Sequence, residues 1–398
     1  MQETYSIRKF SENSTVKRPK EIGSFSRDIE NRIHIDDSQL SYYYLPDGDL
    51  DGNPGINLGA GLASFRKNPK VDYGDFAGLL GSIMKYEQEH GKKVNAKIIS
   101  WRGLMKKLML LPYDNRERFI FNIVVFDGQL FIQSDFEFRK YCEEQDEESL
   151  NDIQRKFIYS GYKFETIATL PKPWAECTRK EIEKRNKLEV NNIEQYCSVV
   201  RTTIGSTSLV LGAEVDCVYD YKPCDGSDPL AHYVELKTTG PLNDPTKVAN
   251  FENKLLSTWA QCFLVGIPRI IYAFRDGSLQ VRSIEEFKTE EIPLLIKNNP
   301  INVQKHKQNP NLKVVNKSMQ SIKYLSGILQ WLEQSIDIND ESKTYTLEFN
   351  PSKNSMFVTL SPNPEDITTK LLSPYNEEKG GMLTEEFKAW RKELKGKK

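Results

Sequence analysis

Gly212-Ala213-Glu214-Val215-Asp216-Cys217, followed by Tyr233-Val234-Glu235-Leu236-Lys237, decides how this chain is read. Both segments carry strand-forming residues. Side chains alternate faces along a strand, so Glu214 and Asp216 are expected on one side, and Glu235 and Lys237 share a side of theirs. Val215, Cys217, Val234 and Leu236 then take the opposite, apolar side. Pairing of the two strands gathers three carboxylates and one ammonium on a small patch. Two like charges about 4 Å apart, at an effective dielectric near 20, repel by roughly 4 kcal/mol. Such a cluster is expected to hold a divalent cation.

The spacing is Asp216, eighteen residues, then Glu235-x-Lys237. A strand-borne Asp followed by an acidic-x-Lys strand is the pattern of a large class of metal-dependent phosphodiesterases. Carboxylate oxygens suit the hard ions Mg²⁺ and Mn²⁺. Such an ion activates water and neutralises charge building on phosphate oxygens, and two ions can serve the entering and departing oxygens. Lys237 would orient or help deprotonate the water. A lone Glu-x-Lys is an ordinary surface ion pair. Here Glu214-x-Asp216 stands beside it, and the next helix puts Lys254, Thr258 and Gln261 on one polar face while Leu255, Trp259 and Phe263 pack. Gln261 is thereby presented to the strands. Upstream, Gly161-Tyr162-Lys163-Phe164-Glu165 ends a helix with an acid, and Trp101-Arg102-Gly103 opens one from which Arg102 can reach a phosphate. In isolation, Glu165 and Arg102 are unremarkable surface residues.

The 398 residues, 38% hydrophobic and 28% charged, suffice for one large domain or two ordinary ones. The formal net charge of −1 supplies no global attraction for nucleic acid, so a polyanion site must be a local basic patch. No apolar run reaches the 18 or so residues of a membrane span, and Met-Gln-Glu-Thr-Tyr-Ser-Ile-Arg lacks a signal-peptide core. Cysteines 142, 177, 197, 217, 224 and 262 form no CxxC pair, which fits a reducing intracellular compartment. Histidines occur only at 34, 90, 232 and 306, which argues against imidazole catalysis and His-rich zinc sites.

Strand and helix signals mix throughout, giving an α/β or α+β chain with mixed sheets. Residues 1–40 read as a polar arm wrapped on the core, with Lys17-Arg18-Pro19-Lys20 as a solvated loop or, alternatively, a nuclear import signal. Helices are expected over 75–90, 101–111, 150–162, 250–265 and 319–336, with a basic one ending at Lys397-Lys398. A hairpin is expected over 118–134 about Asp127-Gly128, a second over 208–239, and strand pairs over 269–281 and 344–360. The acidic run 143–148 reads as a solvated loop, 176–192 as an exposed helix or loop, and lysines 297, 305, 307, 313 and 317 as a basic loop.

Taken together, Trp101-Arg102-Gly103, Gly161-Tyr162-Lys163-Phe164-Glu165, Cys197-Ser198-Val199-Val200-Arg201-Thr202, Gly212-Ala213-Glu214-Val215-Asp216-Cys217, Tyr233-Val234-Glu235-Leu236-Lys237-Thr238 and Trp259-Ala260-Gln261 resemble, in order over residues 101–261, the Rai/DXO family of eukaryotic RNA 5′-end decapping nucleases. The resemblance implies one decapping-nuclease domain over 1–398, built from two mixed sheets flanked by helices and related to the PD-(D/E)xK nuclease class. It implies Mg²⁺ or Mn²⁺, in two ions, held by Glu165, Glu214, Asp216, Glu235 and the Leu236 carbonyl. Glu214, Asp216, Glu235, Lys237 and Gln261 would be catalytic. Lys237 and Gln261 would hold the scissile phosphate and the water, Arg102 with Trp101 and Gly103 would contact RNA phosphates, and Arg27 and Cys197 would line the substrate. Implied activities are removal of unmethylated or incomplete caps as a dinucleotide, pyrophosphate release from 5′-triphosphate RNA, removal of NAD caps and, in some members, 5′→3′ exonuclease action. Asp36-Asp37-Ser38-Gln39-Leu40-Ser41-Tyr42-Tyr43-Tyr44 is most similar to the nuclear fungal branch, which stabilises a Rat-type 5′→3′ exoribonuclease; the cytoplasmic DXO-like branch is the alternative. A mainly non-catalytic stabilising subunit and a DNA nuclease remain as competing functions.

Overall fold

The chain crosses from one β-sheet to another at Val215-Asp216, inside the motif segment itself, and this crossing sets the geometry of the site. The structure, a computed structural model, describes residues 2–46, 55–299, 315–376 and 381–396. Its strands are β1 (Glu3–Ser6), β2 (Val16–Arg27), β3 (Ile33–His34), β4 (Tyr42–Tyr43), β5 (Ile98–Trp101), β6 (Phe119–Phe126), β7 (Gln129–Ser134), β8 (Thr169–Leu170), β9 (Gln195–Ile204), β10 (Thr207–Glu214), β11 (Cys217–Val218), β12 (Tyr233–Thr239), β13 (Arg269–Arg275), β14 (Val281–Lys288), β15 (Thr344–Asn350) and β16 (Asn354–Pro362). Its helices are α1 (Ala77–His90), α2 (Arg102–Leu110), α3 (Phe136–Ser149), α4 (Asp152–Ile167), α5 (Arg179–Lys184), α6 (Pro245–Val265), α7 (Ile292–Lys297), α8 (Lys317–Ser335), α9 (Glu365–Leu372) and α10 (Glu385–Gly396).

One sheet runs β1-β16-β15-β6-β7-β5-β10-β9-β2-β3, the other β14-β13-β12-β11-β4-β8. Both are mixed. In the first, β10 lies antiparallel to β9 and parallel to β5; in the second, β12 lies antiparallel to β11 and parallel to β13. Helices α2, α6 and α8 fill the space between the sheets with Leu104, Met105, Leu108, Leu255, Trp259 and Ile328, each fully buried aliphatic side chain contributing roughly 1.5–3 kcal/mol. Helices α1 and α10 cover the far face of the first sheet through Phe76, Leu79, Leu80 and Phe387. Phe164 and Ile167 of α4 pack on Val234, Leu236 and Ile271 of the second.

Local chemistry explains the element ends. The turn between β6 and β7 has Asp127 at φ 49° and Gly128 at φ 67°, the left-handed pair that a two-residue hairpin requires. Asn151 and Gln154 form a capping box at the start of α4. Asp244 caps α6, Pro245 opens it, and Gly266 closes it at φ 79°.

Several expectations are corrected. The 212–217 and 233–237 segments do not form one long hairpin: Glu214 is the last residue of β10, opposite Cys197, whereas only Cys217 and Val218 pair with β12. Residues 1–40 are not a wrapped arm, because β1 and the twelve-residue β2 are strands of the first sheet. Lys17-Arg18-Pro19-Lys20 lies in β2 rather than a loop, and the register shifts between Lys17 and Lys20 so that Pro19 costs no ladder hydrogen bond. The acidic run 143–148 is helical, the second half of α3, whose start Asp135 caps. Lys297 and Lys317 belong to α7 and α8; Lys305, Lys307, Lys313, Lys397 and Lys398 lie outside the described residues. Strand β5 was not anticipated; Trp101 ends it and Arg102 begins α2.

Candidate active site

The sheet crossing places Glu214 at the tip of β10 and Asp216 just before β11, while Glu235, Leu236 and Lys237 follow on β12. Glu165 arrives from the last turn of α4, Gln261 from α6 and Arg102 from the first turn of α2. Six elements thus deliver one cluster. Asp216 Oδ2 accepts from the Leu236 N–H at 2.6 Å and stands 4.0 Å from Lys237 Nζ. Glu235 is 1% exposed. Its Oε1 accepts from Lys237 Nζ and from Gln261 Nε2, the latter at 2.5 Å, and its Oε2 pairs with Arg102 Nη1 at 3.2 Å.

Four acids against these cations leave the carboxylates strained electrostatically. Burial, then Asp216 and Glu214, hold the Glu165 carboxyl well above the usual range. Burial, then Glu235, push Asp216 up to about 7. Glu214 opens to solvent in the cleft but is ringed by protein, and that enclosure raises it as well. Glu235 goes the other way: burial would raise it, but Lys237 and Arg102 prevail and hold it below the usual range. The same attraction outweighs the burial of Lys237 and keeps its ammonium charged.

This donor set, hard oxygens in excess of positive charge beside a free-facing Glu214, fits a divalent cation. Among the described residues, no three acids stand at metal-binding spacing. Lys237, Gln261 and Arg102 all donate to Glu235 and supply positive charge locally.

Above the acids opens a cleft of about 1200 Å³, lined by Glu214, Gln261, Trp101, Arg102, Gly103, Arg27 and Cys197, so the remaining residues singled out in the sequence meet there too. Trp101 packs between Gly212 of β10 and Gly74; a Cβ on Gly212 would come within 3.0 Å of its ring, and one on Gly74 within 2.7 Å. A Cβ on Gly103 would project into open space. Arg27 is turned partly aside, donating to the Ile193 carbonyl at 2.9 Å and to Gln195 at 2.5 Å. Cys197 is buried and its thiol pushed well up, so it lines the wall without being a nucleophile. A smaller pocket, about 420 Å³ between Arg8, Tyr113 and Gln320, contains none of the acids.

Sequence reasoning missed Asp72, Lys106, Phe138 and Tyr141, all on the cleft wall. Lys106 was findable, since it follows Arg102 by one helical turn. The other three sit on segments whose approach only the fold reveals.

Comparison with known proteins agrees with this geometry. Residues 17–388 match the family described as RAI1 like PD-(D/E)XK nuclease. The chain is 45% identical to Decapping nuclease RAI1 of Scheffersomyces stipitis, over 99% of this chain and 100% of that protein. A crystal structure of Candida albicans Rai1 in complex with pU5-Mn2+ superposes with a TM-score of 0.89 at 40% identity, covering 99% of this chain and 100% of the other. Scheffersomyces stipitis Rai1 in complex with (3'-NADP)+ and calcium ion gives 0.87 at 44% identity, covering 98% and 100%. The cleft with its sheet-crossing acids is thus set in a chain that belongs to the RAI1-like PD-(D/E)XK nuclease family.

Proposed function

We propose that the protein is a divalent-metal-dependent hydrolase of defective RNA 5′ ends. It removes incomplete or unmethylated caps as a cap dinucleotide, releases pyrophosphate from 5′-triphosphate RNA and removes NAD caps. The observation that carries this reading is the convergence of Glu165, Glu214, Asp216, Glu235, Lys237 and Gln261 in one cluster, whose Glu214 and Gln261 line a cleft together with Trp101 and Arg102. The relatives bearing the name decapping nuclease, and the neighbour holding pU5 with Mn²⁺, support the substrate class and the cofactor, Mg²⁺ or Mn²⁺.

Glu165, Glu214, Asp216, Glu235 and the Leu236 carbonyl would hold the ions. A cation held there would lower the pKa of a water and offset charge developing on the scissile phosphate. Lys237, charged and anchored through Glu235, is suited to grip a phosphate oxygen and align the water. Gln261 has a carboxamide that can donate to phosphate and accept from water. With a cation held by Glu235, Arg102 would be available to bind an RNA phosphate from the N-terminus of α2. One site serves all three reactions because each hydrolyses a phosphodiester or phosphoanhydride at a 5′ end.

The same reading places the protein in the nucleus, where it would stabilise and stimulate a Rat-type 5′→3′ exoribonuclease in RNA quality control. Its support is the resemblance of the 36–44 segment and of the whole chain to the Rai relatives.

The test is a panel of defined 5′ ends, incubated with protein and Mn²⁺, with products identified by mass. Cap dinucleotide and pyrophosphate are the expected products. No product at any enzyme excess would leave a non-catalytic stabilising subunit; duplex DNA cleavage without RNA turnover would make it a DNA nuclease.

A further inference from the structure

Resting on the function just given, we propose that Tyr196, Tyr233 and Glu21, closed off by Lys222, are positioning residues. They clamp the first sheet to the second behind the crossing at Val215, and so set how Glu214 on one sheet faces Asp216 and Glu235 on the other when a cation is bound.

The clamp draws on both sheets. Val215 donates its N–H to the Tyr196 carbonyl at 3.0 Å, extending the β9–β10 ladder one residue beyond Glu214. Alternation on β9 turns Cys197 toward the cleft and Tyr196 into the space between the sheets. There the Tyr196 hydroxyl lies 3.0 Å from that of Tyr233. Tyr233 is the first residue of β12 and shares a face with Glu235, two residues on. Its hydroxyl donates to Glu21 Oε2 at 2.7 Å, and the same oxygen accepts from Ser198 Oγ at 2.5 Å. A register shift in β2 just after Glu21 marks a bulge, the device that re-aims a strand side chain. Lys222, in the connection from β11 to β12, shuts the open end. Its Nζ donates to the Tyr196 hydroxyl and to Asp37 Oδ2, both at 2.8 Å, and stands 3.7 Å from Glu21 Oε1.

Each phenol has one proton to give. Tyr233 gives its own to Glu21, so Tyr196 must donate to Tyr233 and accept from Lys222. The chain Lys222–Tyr196–Tyr233–Glu21 therefore runs in one direction, with each hydroxyl used once as donor and once as acceptor. Both rings are buried. Stability alone does not ask for such a chain, since apolar groups of the same shape in place of hydrogen-bonded partners can be nearly neutral. What the polar chain adds is direction: hydrogen bonds fix distance and angle, and a fully satisfied network specifies one arrangement. The metal site needs that. Asp216 is tied to β12 by the Leu236 N–H, whereas no hydrogen bond or ion pair among the described residues ties the Glu214 side chain to the second sheet. The relation between Glu214 and the other acids thus depends on how the sheets are held.

The test measures Mn²⁺ affinity without substrate, from the electron paramagnetic resonance signal of unbound Mn²⁺. A thermal melt accompanies it, with pyrophosphate release from 5′-triphosphate RNA at limiting and saturating Mn²⁺. Tyr196→Phe combined with Tyr233→Phe keeps both rings and removes both hydroxyls. It is expected to weaken Mn²⁺ binding about tenfold, the lower end for losing groups that orient metal ligands. Pyrophosphate release should fall at limiting Mn²⁺ and be largely regained at saturation. Tyr233→Phe alone, which keeps the Lys222–Tyr196 bond, covers the case in which the double variant does not fold, and is expected to weaken binding in the same direction. Trp390→Phe, which removes a donor to Glu87 far from the site, should lower the melting temperature and leave Mn²⁺ affinity unchanged. Unchanged affinity in the folded tyrosine variants would overturn the clamp. So would an equal loss of affinity in Trp390→Phe. A wild type that binds no Mn²⁺ overturns instead the metal site on which the clamp rests.

Discussion

Two of the buried charge clusters among the described residues are built to opposite ends. Under the C-terminal helix α10, Arg391 is 1% exposed and Glu87 fully buried. Arg391 donates to both Glu87 oxygens at 2.7 and 2.8 Å, to Asp127 at 2.9 Å and to Gln129 at 2.9 Å; Glu87 also accepts from the Trp390 indole and the Val94 N–H. Lys395 completes Asp127 at 2.8 Å. Burial would raise Asp127, but Lys395 and Arg391 hold its carboxyl below the usual range. In the cluster between the sheets, acids outnumber their partners, and Glu165, Glu214 and Asp216 are all raised. A satisfied network fixes a helix in place. A frustrated one stores affinity for whatever brings positive charge. The difference separates a structural charge cluster from a catalytic one where residue types alone would not.

Exchange of residues in each cluster should therefore have opposite consequences. The largest effect is expected from Glu214→Ala with Asp216→Ala: loss of at least about a thousandfold in hydrolysis, since the metal supplies several kcal/mol of transition-state stabilisation. The variant should stay folded, because it removes repulsion. Cap-release assays and a thermal melt check both halves, and full activity would contradict the ligand assignment. Arg391→Ala should do the reverse, costing about 3–5 kcal/mol of stability by stranding buried Glu87. A urea melt measures this; a loss under about 1 kcal/mol would mean the network is looser than its geometry.

Arg102→Ala sharpens the contrast from within the catalytic cluster, because Arg102 pairs with an acid and also faces the cleft. It should lower kcat/KM about ten- to a hundredfold, as loss of a charged hydrogen bond to phosphate does. An unchanged kcat/KM would confine Arg102 to the ion pair with Glu235.

The smallest effect expected is on the melting temperature. Asp216 is raised from an ordinary 3.8 to about 7, so between these values the folded protein holds a proton that the unfolded chain has lost. This group's contribution to stability is therefore fully present below about pH 4 and lost as pH rises through 7. A divalent cation binds the ionised form. Millimolar Mg²⁺ should raise Tm by a few degrees, more at about pH 7.5 than at about pH 5.5. A rise independent of pH would mean that these carboxylates are not the ones titrating.

Much of this site could be seen in the sequence, and the failures have definite causes. Period-2 alternation and the acidic-x-Lys spacing led to Glu235 and Lys237, and a polar face at helical spacing led to Gln261. The 118–134 hairpin followed from Asp127-Gly128. What alternation could not show was that Glu214 and Asp216 belong to different sheets, because a strand that changes partners at Val215 keeps the same local pattern on either side. Residues 1–40 were misjudged because β2 is basic and partly exposed over Lys17–Lys20, one place in from a sheet margin, where polar side chains are tolerated and Pro19 can sit at a bulge. The run 143–148 was misjudged because its charges face solvent on a helix, and composition cannot separate that from a loop. The Arg391–Glu87 network joins residues 304 apart in sequence, beyond any local signal.

The most direct measurement is anomalous diffraction from crystals soaked in Mn²⁺, recorded for the wild type and for the Glu214→Ala, Asp216→Ala variant. Manganese peaks bounded by Glu165, Glu214, Asp216 and Glu235, with Arg102 drawn away from Glu235, are the predicted result, and the variant should show none. Wild-type crystals with no manganese there, or with manganese bound equally in the variant, would contradict it.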